Sequence, residues 1–127
     1  MLYKLDPVRQ ERDEVTASLL KGNTAILVLW ILSEGPAAGY AIATEINRRC
    51  ENLLEFKHGT LYPLLHQLER DHLIASEWVQ REDNRPLRLY RISATGRVEL
   101  ERRMKAWRIV SQAMVRVTGV RPDEQQR

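Results

Sequence analysis

Apolar residues along the chain fall into runs of two periods. From Thr16, positions Leu19, Leu20, Asn23, Ile26, Leu27, Trp30 and Ile31 recur at three- and four-residue steps, the spacing of an amphipathic helix. Gly22 lies inside that pattern and either permits close packing or breaks it into two helices, and Gly35-Pro36 ends it. A second helix is predicted from Gly39 or Tyr40 to Cys50, with Tyr40, Ile42, Ala43, Ile46 and Cys50 on its buried side. Leu53, Leu54 and Phe56 form an apolar bridge to a third helix, which starts between His58 and Thr60 and ends near Asp71. Pro63 is expected in its first turn, where a missing N–H costs nothing. Leu61, Leu64, Leu65 and Leu68 then make one inward stripe, and Thr60, Tyr62, His66, Gln67 and Arg70 lie opposite.

Beyond this point the period shortens. Leu73 to Arg81 and Leu87 to Ile92 are rich in β-formers and flank a Glu82-Asp83-Asn84-Arg85-Pro86 turn, so they predict a hairpin. Ser93 is a suitable N-cap for a last helix from Ala94 to Val117 or Thr118, closed by Gly119 with Pro122 after it. The expected fold is mostly α with a small β-hairpin: a winged helix-turn-helix over residues 16–93, then a long C-terminal dimerisation helix over residues 94–118. Residues 1–15 are expected to be an N-terminal arm or helix, and residues 119–127 a tail.

Composition narrows the function. Of 127 residues, 43% are hydrophobic and 29% charged, an ordinary globular balance. The longest apolar run, Ala25 to Leu32, is far too short to cross a bilayer, and Lys4, Asp6 and Arg9 after Met1 do not fit a secretory signal. A cytoplasmic protein without a membrane partner is expected. The single cysteine, Cys50, gives no disulfide framework and is read as a small buried hydrophobe. His58, His66 and His72 stand in no metal-ligand spacing, and no phosphate loop or nucleophile setting is visible. No catalytic residue, metal site or cofactor is therefore expected.

The 20 basic against 17 acidic residues give a net charge of +3, with the excess in the C-terminal third. Such mild basicity suits nucleic acid only if the cations are gathered in space. The third helix gathers them: Lys57, His58, Thr60, Tyr62, Pro63, His66, Gln67 and Arg70 form a donor-rich face that could enter a major groove. Arg81, Arg85 and Arg88 on the hairpin would reach the phosphate backbone, provided Glu51, Glu55 and Glu77 point elsewhere. On spacing alone, a generic interaction domain fits these residues equally well.

Three segments carry a family resemblance. GYAIATEI (Gly39 to Ile46), GTLYPLLHQLERDHLI (Gly59 to Ile74) and NRPLRLYRISATGR (Asn84 to Arg97) resemble, in order, the signature of the PadR family of bacterial transcriptional regulators. The likeness covers roughly residues 16–118. Asp71-His72 stands where the family often has an acidic residue and glycine, and Asn84-Arg85-Pro86 replaces a more glycine-rich wing tip. The resemblance implies a homodimeric winged-helix repressor whose C-terminal helix makes the dimer.

The last helix supports that expectation on its own terms. At 1.5 Å per residue it is roughly 37 Å long, more than so small a core can cover. Leu100, Met104, Trp107, Val110, Ser111, Met114 and Val117 give it a broad apolar stripe, which a partner helix would bury, with Leu19 and Leu20 as the surface it meets. Such a dimer would space two recognition helices about one turn of DNA apart, roughly 34 Å, and match a near-palindromic double-stranded operator. Trp107 is read as an interface anchor. The resemblance adds a second role, in which Trp107 faces its symmetry mate and stacks a flat aromatic effector, with Met104 and Met114 lining an adaptable pocket. Trp30 and Trp78 are expected in the core. The full expectation is a dimeric repressor released by a small effector. The alternative is a dimer of the same fold that binds small molecules or proteins without DNA.

Overall fold

A computed structural model describes residues 7–83 and 85–123 of the chain; Asn84 of the turn, residues 1–6 and residues 124–127 of the tail lie outside the described residues. The helices are α1 (Pro7–Leu20), α2 (Thr24–Ser33), α3 (Gly39–Arg49), α4 (His58–Arg70) and α5 (Ala94–Thr118). The strands are β1 (Ala37–Ala38), β2 (Ile74–Val79) and β3 (Leu87–Ile92), in the antiparallel order β1-β3-β2. A winged helix-turn-helix followed by one long helix is the resulting architecture.

Gly22 marks a break. Its φ of +91° is open to glycine at little cost, and α1 meets α2 there at a bend of 60°. Asn23 holds the corner, its side-chain amide donating to the Leu19 carbonyl at 3.1 Å. The arm or helix expected over residues 1–15 and the periodic run from Thr16 are thus one helix over its described part. No single helix among the described residues is long and apolar enough to cross a membrane.

Apolar on nearly every side, α2 fills the centre of the molecule. Val28, Leu29 and Leu32 pack against Ile42, Ala43 and Ile46 of α3, Leu61, Leu65 and Leu68 of α4, and Ile74 and Tyr90 of the sheet. The leucine stripe of α4 faces inward as its spacing predicted, with Leu64 at its margin. Two backbone locks set the angles. Near the end of α3, Asn47 donates to the carbonyl of Phe56 in the following loop at 3.0 Å and accepts from the Phe56 N–H at 2.8 Å, which seats Phe56 in the core. At the start of α5, the Ser93 hydroxyl accepts from Gly96 N at 2.9 Å and donates to the His72 carbonyl at 2.7 Å. Replacing Asn47 with alanine leaves both Phe56 groups without their partner and is expected to cost roughly 2 kcal/mol in urea unfolding; Asn47→Asp, which keeps the acceptor, should cost about half of that.

Several expectations are corrected. Trp30 is 46% exposed and Trp78 65% exposed, so neither is a core residue. Trp30 sits on the side of α2 that turns toward α1 and α5. Trp78 shares a sheet face with Ile74 and Ser76, but that face runs past the end of the core. Tyr40, expected on the buried side of α3, is exposed at its first turn, and Leu53 of the bridge is the most solvent-open of the loop leucines. Cys50 is half-buried rather than buried. Pro63 lies in the second turn of α4, because the helix already begins at His58. Its ring removes the N–H that would meet the Gly59 carbonyl. The hairpin is also shorter than predicted, ending at Val79, and gains β1, whose Ala37 and Ala38 pair with Tyr90 and Leu89.

Candidate nucleic-acid interface

The outer face of α4 follows from its inner one. With Leu61, Leu65 and Leu68 buried, the helix turns Lys57, His58, Thr60, Tyr62, Pro63, His66, Gln67 and Arg70 outward, and all eight are exposed. Described residues leave this face uncovered. The Lys57 side chain makes no hydrogen bond to the first turn of α4.

The two ends of the face differ in what they have free. Near the start, His58 and Tyr62 stack with ring centroids 6.3 Å apart. The Tyr62 ring leans on the first residue of α3: a Cβ at Gly39 would lie 3.0 Å from its hydroxyl oxygen. Glycine at that position lets α3 and α4 approach closely. Toward the end, Arg70 donates to Gln67 Oε1 at 2.6 Å, while Gln67 Nε2 reaches both Asp71 carboxylate oxygens at 3.1 Å. Gln67 and Arg70 therefore stand as a linked pair.

Two of the hairpin's acidic groups, Glu77 and Asp83, are matched by its arginines. Glu77 pairs with Arg91 on the sheet face opposite Trp78, and Asp83 lies 3.6 Å from Arg81 at the tip. The Asp83 carboxylate also accepts from the Arg85 N–H at 3.0 Å, an Asx-type closure of the turn. Arg85 is exposed there, and no partner for its guanidinium occurs among the described residues. Arg88 differs from the other two wing arginines. It stands inside β3, ion-paired to Glu69 of α4 at 3.3 Å and lying over the Trp78 and Tyr90 rings at 5.7 Å each. Burial raises the Tyr90 hydroxyl above its ordinary range.

A second feature lies on the far side of α2. Leu19, Leu20, Leu27, Trp30, Met104 and Trp107 line an open apolar groove of about 670 Å³ between α1, α2, α3 and α5. Trp30 was not foreseen there. Its place in an otherwise helical core pattern gave no sign of which side of α2 it would take. Val110, Ser111 and Met114 continue along α5 beyond the groove. Val110 is 55% exposed and Met114 58% exposed, and Ile109 beside them is open as well. Ion pairs run along α3 and α5: Arg48 and Arg49 hold the pKa of the Glu45 carboxyl at about 2, and Arg102 and Arg103 do the same for Glu99. No group of three or more metal-ligating side chains occurs among the described residues.

Residues 28–102 match the family model for the Transcriptional regulator PadR-like family. A PadR family transcription regulator from Clostridium difficile is 28% identical, with a TM-score of 0.64 over 73% of this chain and 95% of its own. A transcriptional regulator from Clostridium thermocellum is similar over 80% of this chain and 98% of its own, at 24% identity and a TM-score of 0.74. Bacillus subtilis PadR, solved in complex with operator DNA, shares the fold over 64% of this chain and 45% of its own, at 21% identity and a TM-score of 0.59.

Proposed function

Because the chain belongs to the PadR-like family of transcriptional regulators, we propose that it is a dimeric, sequence-specific DNA-binding repressor of the cytoplasm, released from its operator by a small flat aromatic effector. As a family member it is a regulator and not an enzyme. The observation that carries the DNA reading is the uncovered outer face of α4, opposite its buried leucines. In this reading Lys57, His58, Thr60, Tyr62, Pro63 and His66 enter the major groove, with the Gln67–Arg70 pair at the deeper end of the helix. Arg85 holds a phosphate from the wing tip. Arg88, tied into the sheet, supports the wing from behind. That Bacillus subtilis PadR, a protein of the same fold, binds operator DNA supports DNA as the partner.

The dimer reading rests on the open apolar positions of α5, which a second copy would cover using Leu19, Leu20 and Trp107. An effector in the groove beside Trp107, Met104 and Trp30 would act by preferring one spacing of the two reading heads.

Selection of bound duplexes from random sequence, followed by salt titration, tests the whole reading. A near-palindromic site should emerge, and log affinity against log salt should fall with a slope on the order of −5. Arg85→Ala is expected to weaken all sequences alike and flatten that slope, whereas Thr60→Ala should alter sequence preference. A protein of this fold that works without DNA would show neither a selected site nor a salt slope.

A further inference from the structure

The wing is a narrow support for the work assigned to its tip. Beyond Ser76 every residue of β2 is exposed, and Leu87 to Leu89 of β3 are only half-buried, so the core holds the outer half of the hairpin weakly. One carboxylate ties it to the reading helix. Glu69 of α4 accepts from the Ser76 hydroxyl of β2 at 2.6 Å and from the Arg88 guanidinium of β3 at 3.3 Å and 3.4 Å. Arg88 Nε closes the ring by donating to the same Ser76 hydroxyl at 3.0 Å. Rings on both strands fix the guanidinium further, since Trp78 and Tyr90 each lie 5.7 Å from it. Both partners are only partly buried, with side-chain exposures of 37% for Arg88 and 27% for Glu69. A pair so placed adds little to folding stability, but it joins three elements at one point.

From this geometry we propose that Glu69 is a positioning residue for DNA binding: by clamping Ser76 and Arg88 to α4, it sets the angle at which the wing tip and the reading helix meet one duplex. The inference rests on the DNA reading above. Once α4 is seated in a groove, a fixed wing presents Arg85 to its phosphate at high effective concentration, and an unclamped wing does not. Glu69 adjoins Arg70 in sequence but contacts the sheet, so its effect on DNA passes through Arg85 rather than through any base.

The test is a salt titration of affinity for a selected duplex with the full chain, comparing wild type, Glu69→Ala, Arg85→Ala and the double variant. Glu69→Ala is expected to weaken binding on the order of tenfold and to flatten the log–log slope by roughly two in a dimer with two wings. Adding Arg85→Ala to Glu69→Ala should then change nothing more, because the wing contact is already lost. Glu69→Gln, which keeps an acceptor for Ser76 and drops the charge facing Arg88, should fall between wild type and Glu69→Ala. Faster amide exchange across β2 and β3 in the free Glu69 variants should accompany the loss. An unchanged slope, or a full additional loss from Arg85→Ala in the Glu69→Ala background, overturns the proposal even if the melting temperature falls. Should wild type itself bind without salt dependence, with Arg85→Ala equally silent, the DNA reading fails and takes the proposal with it.

Discussion

Gly96→Ala is expected to destabilise the protein by roughly 3 kcal/mol, lowering the melting temperature by about 10 °C. Helix propensity alone predicts the opposite sign, since alanine is favoured over glycine inside a helix by about 1 kcal/mol. Crowding decides the matter. A Cβ at Gly96 would stand 2.0 Å from the Leu73 carbonyl oxygen and 2.7 Å from Cγ1 of Ile92. The first of these is backbone and cannot swing away, and it is already engaged by the Ser93 N–H at 3.0 Å. Relief requires lifting the first turn of α5 off the sheet, which strains the Ser93 bonds to Gly96 and His72. Gly59 provides the contrast within the same chain: a Cβ there meets nothing within 4 Å. Gly59→Ala should therefore be neutral or slightly stabilising in thermal melts. If Gly96→Ala melts at or above wild type, the close approach of α5 to the sheet is wrong.

That contact also shows where sequence reasoning stops. The α4 stripe, the Ser93 cap and the reach of α5 to Thr118 are legible because each depends on residues a few positions apart; at Gly22 the sequence leaves close packing or a break open, and the structure has the break. Orientation across the fold is not. Trp30 and Trp78 have core-like chemistry, but the first lies on the side of α2 facing an open groove and the second beyond the last covered residue of β2. Ala37-Ala38 has no strand propensity of its own and becomes β1 only through its pairing with β3. Of the interface, the outward face of α4 could be derived from periodicity, whereas the state of each donor could not. Gln67 and Arg70 bond to one another, and Arg88 bonds to a carboxylate 19 residues away, so identical residue types differ in what they can offer a ligand.

Charging the free end of α5 should separate the subunits without unfolding the chain. Val110 and Met114 are 55% and 58% exposed within one chain and belong to no core cluster, so Val110→Glu with Met114→Glu disturbs little internal packing. Glutamate also suits a helix interior, and helical content should be retained. In a dimer closed over this stripe the same positions become buried, and each unpaired carboxylate costs several kcal/mol. A total of even 4 kcal/mol weakens association about 1,000-fold. Sedimentation should then give the mass of one 14.8 kDa chain at concentrations where wild type gives twice that. DNA supplies a second, independent readout, because a single reading head contacts half the phosphates. The log–log salt slope should fall to about half its wild-type value, and the requirement for a palindromic site should disappear. Surface charge alone would not reproduce this: Val98→Glu, on the same helix and 67% exposed, lies off the stripe and should leave mass and slope unchanged. A doubly charged variant that still sediments as a dimer would place the subunit contact elsewhere on the molecule and free the far half of α5 from any role in it.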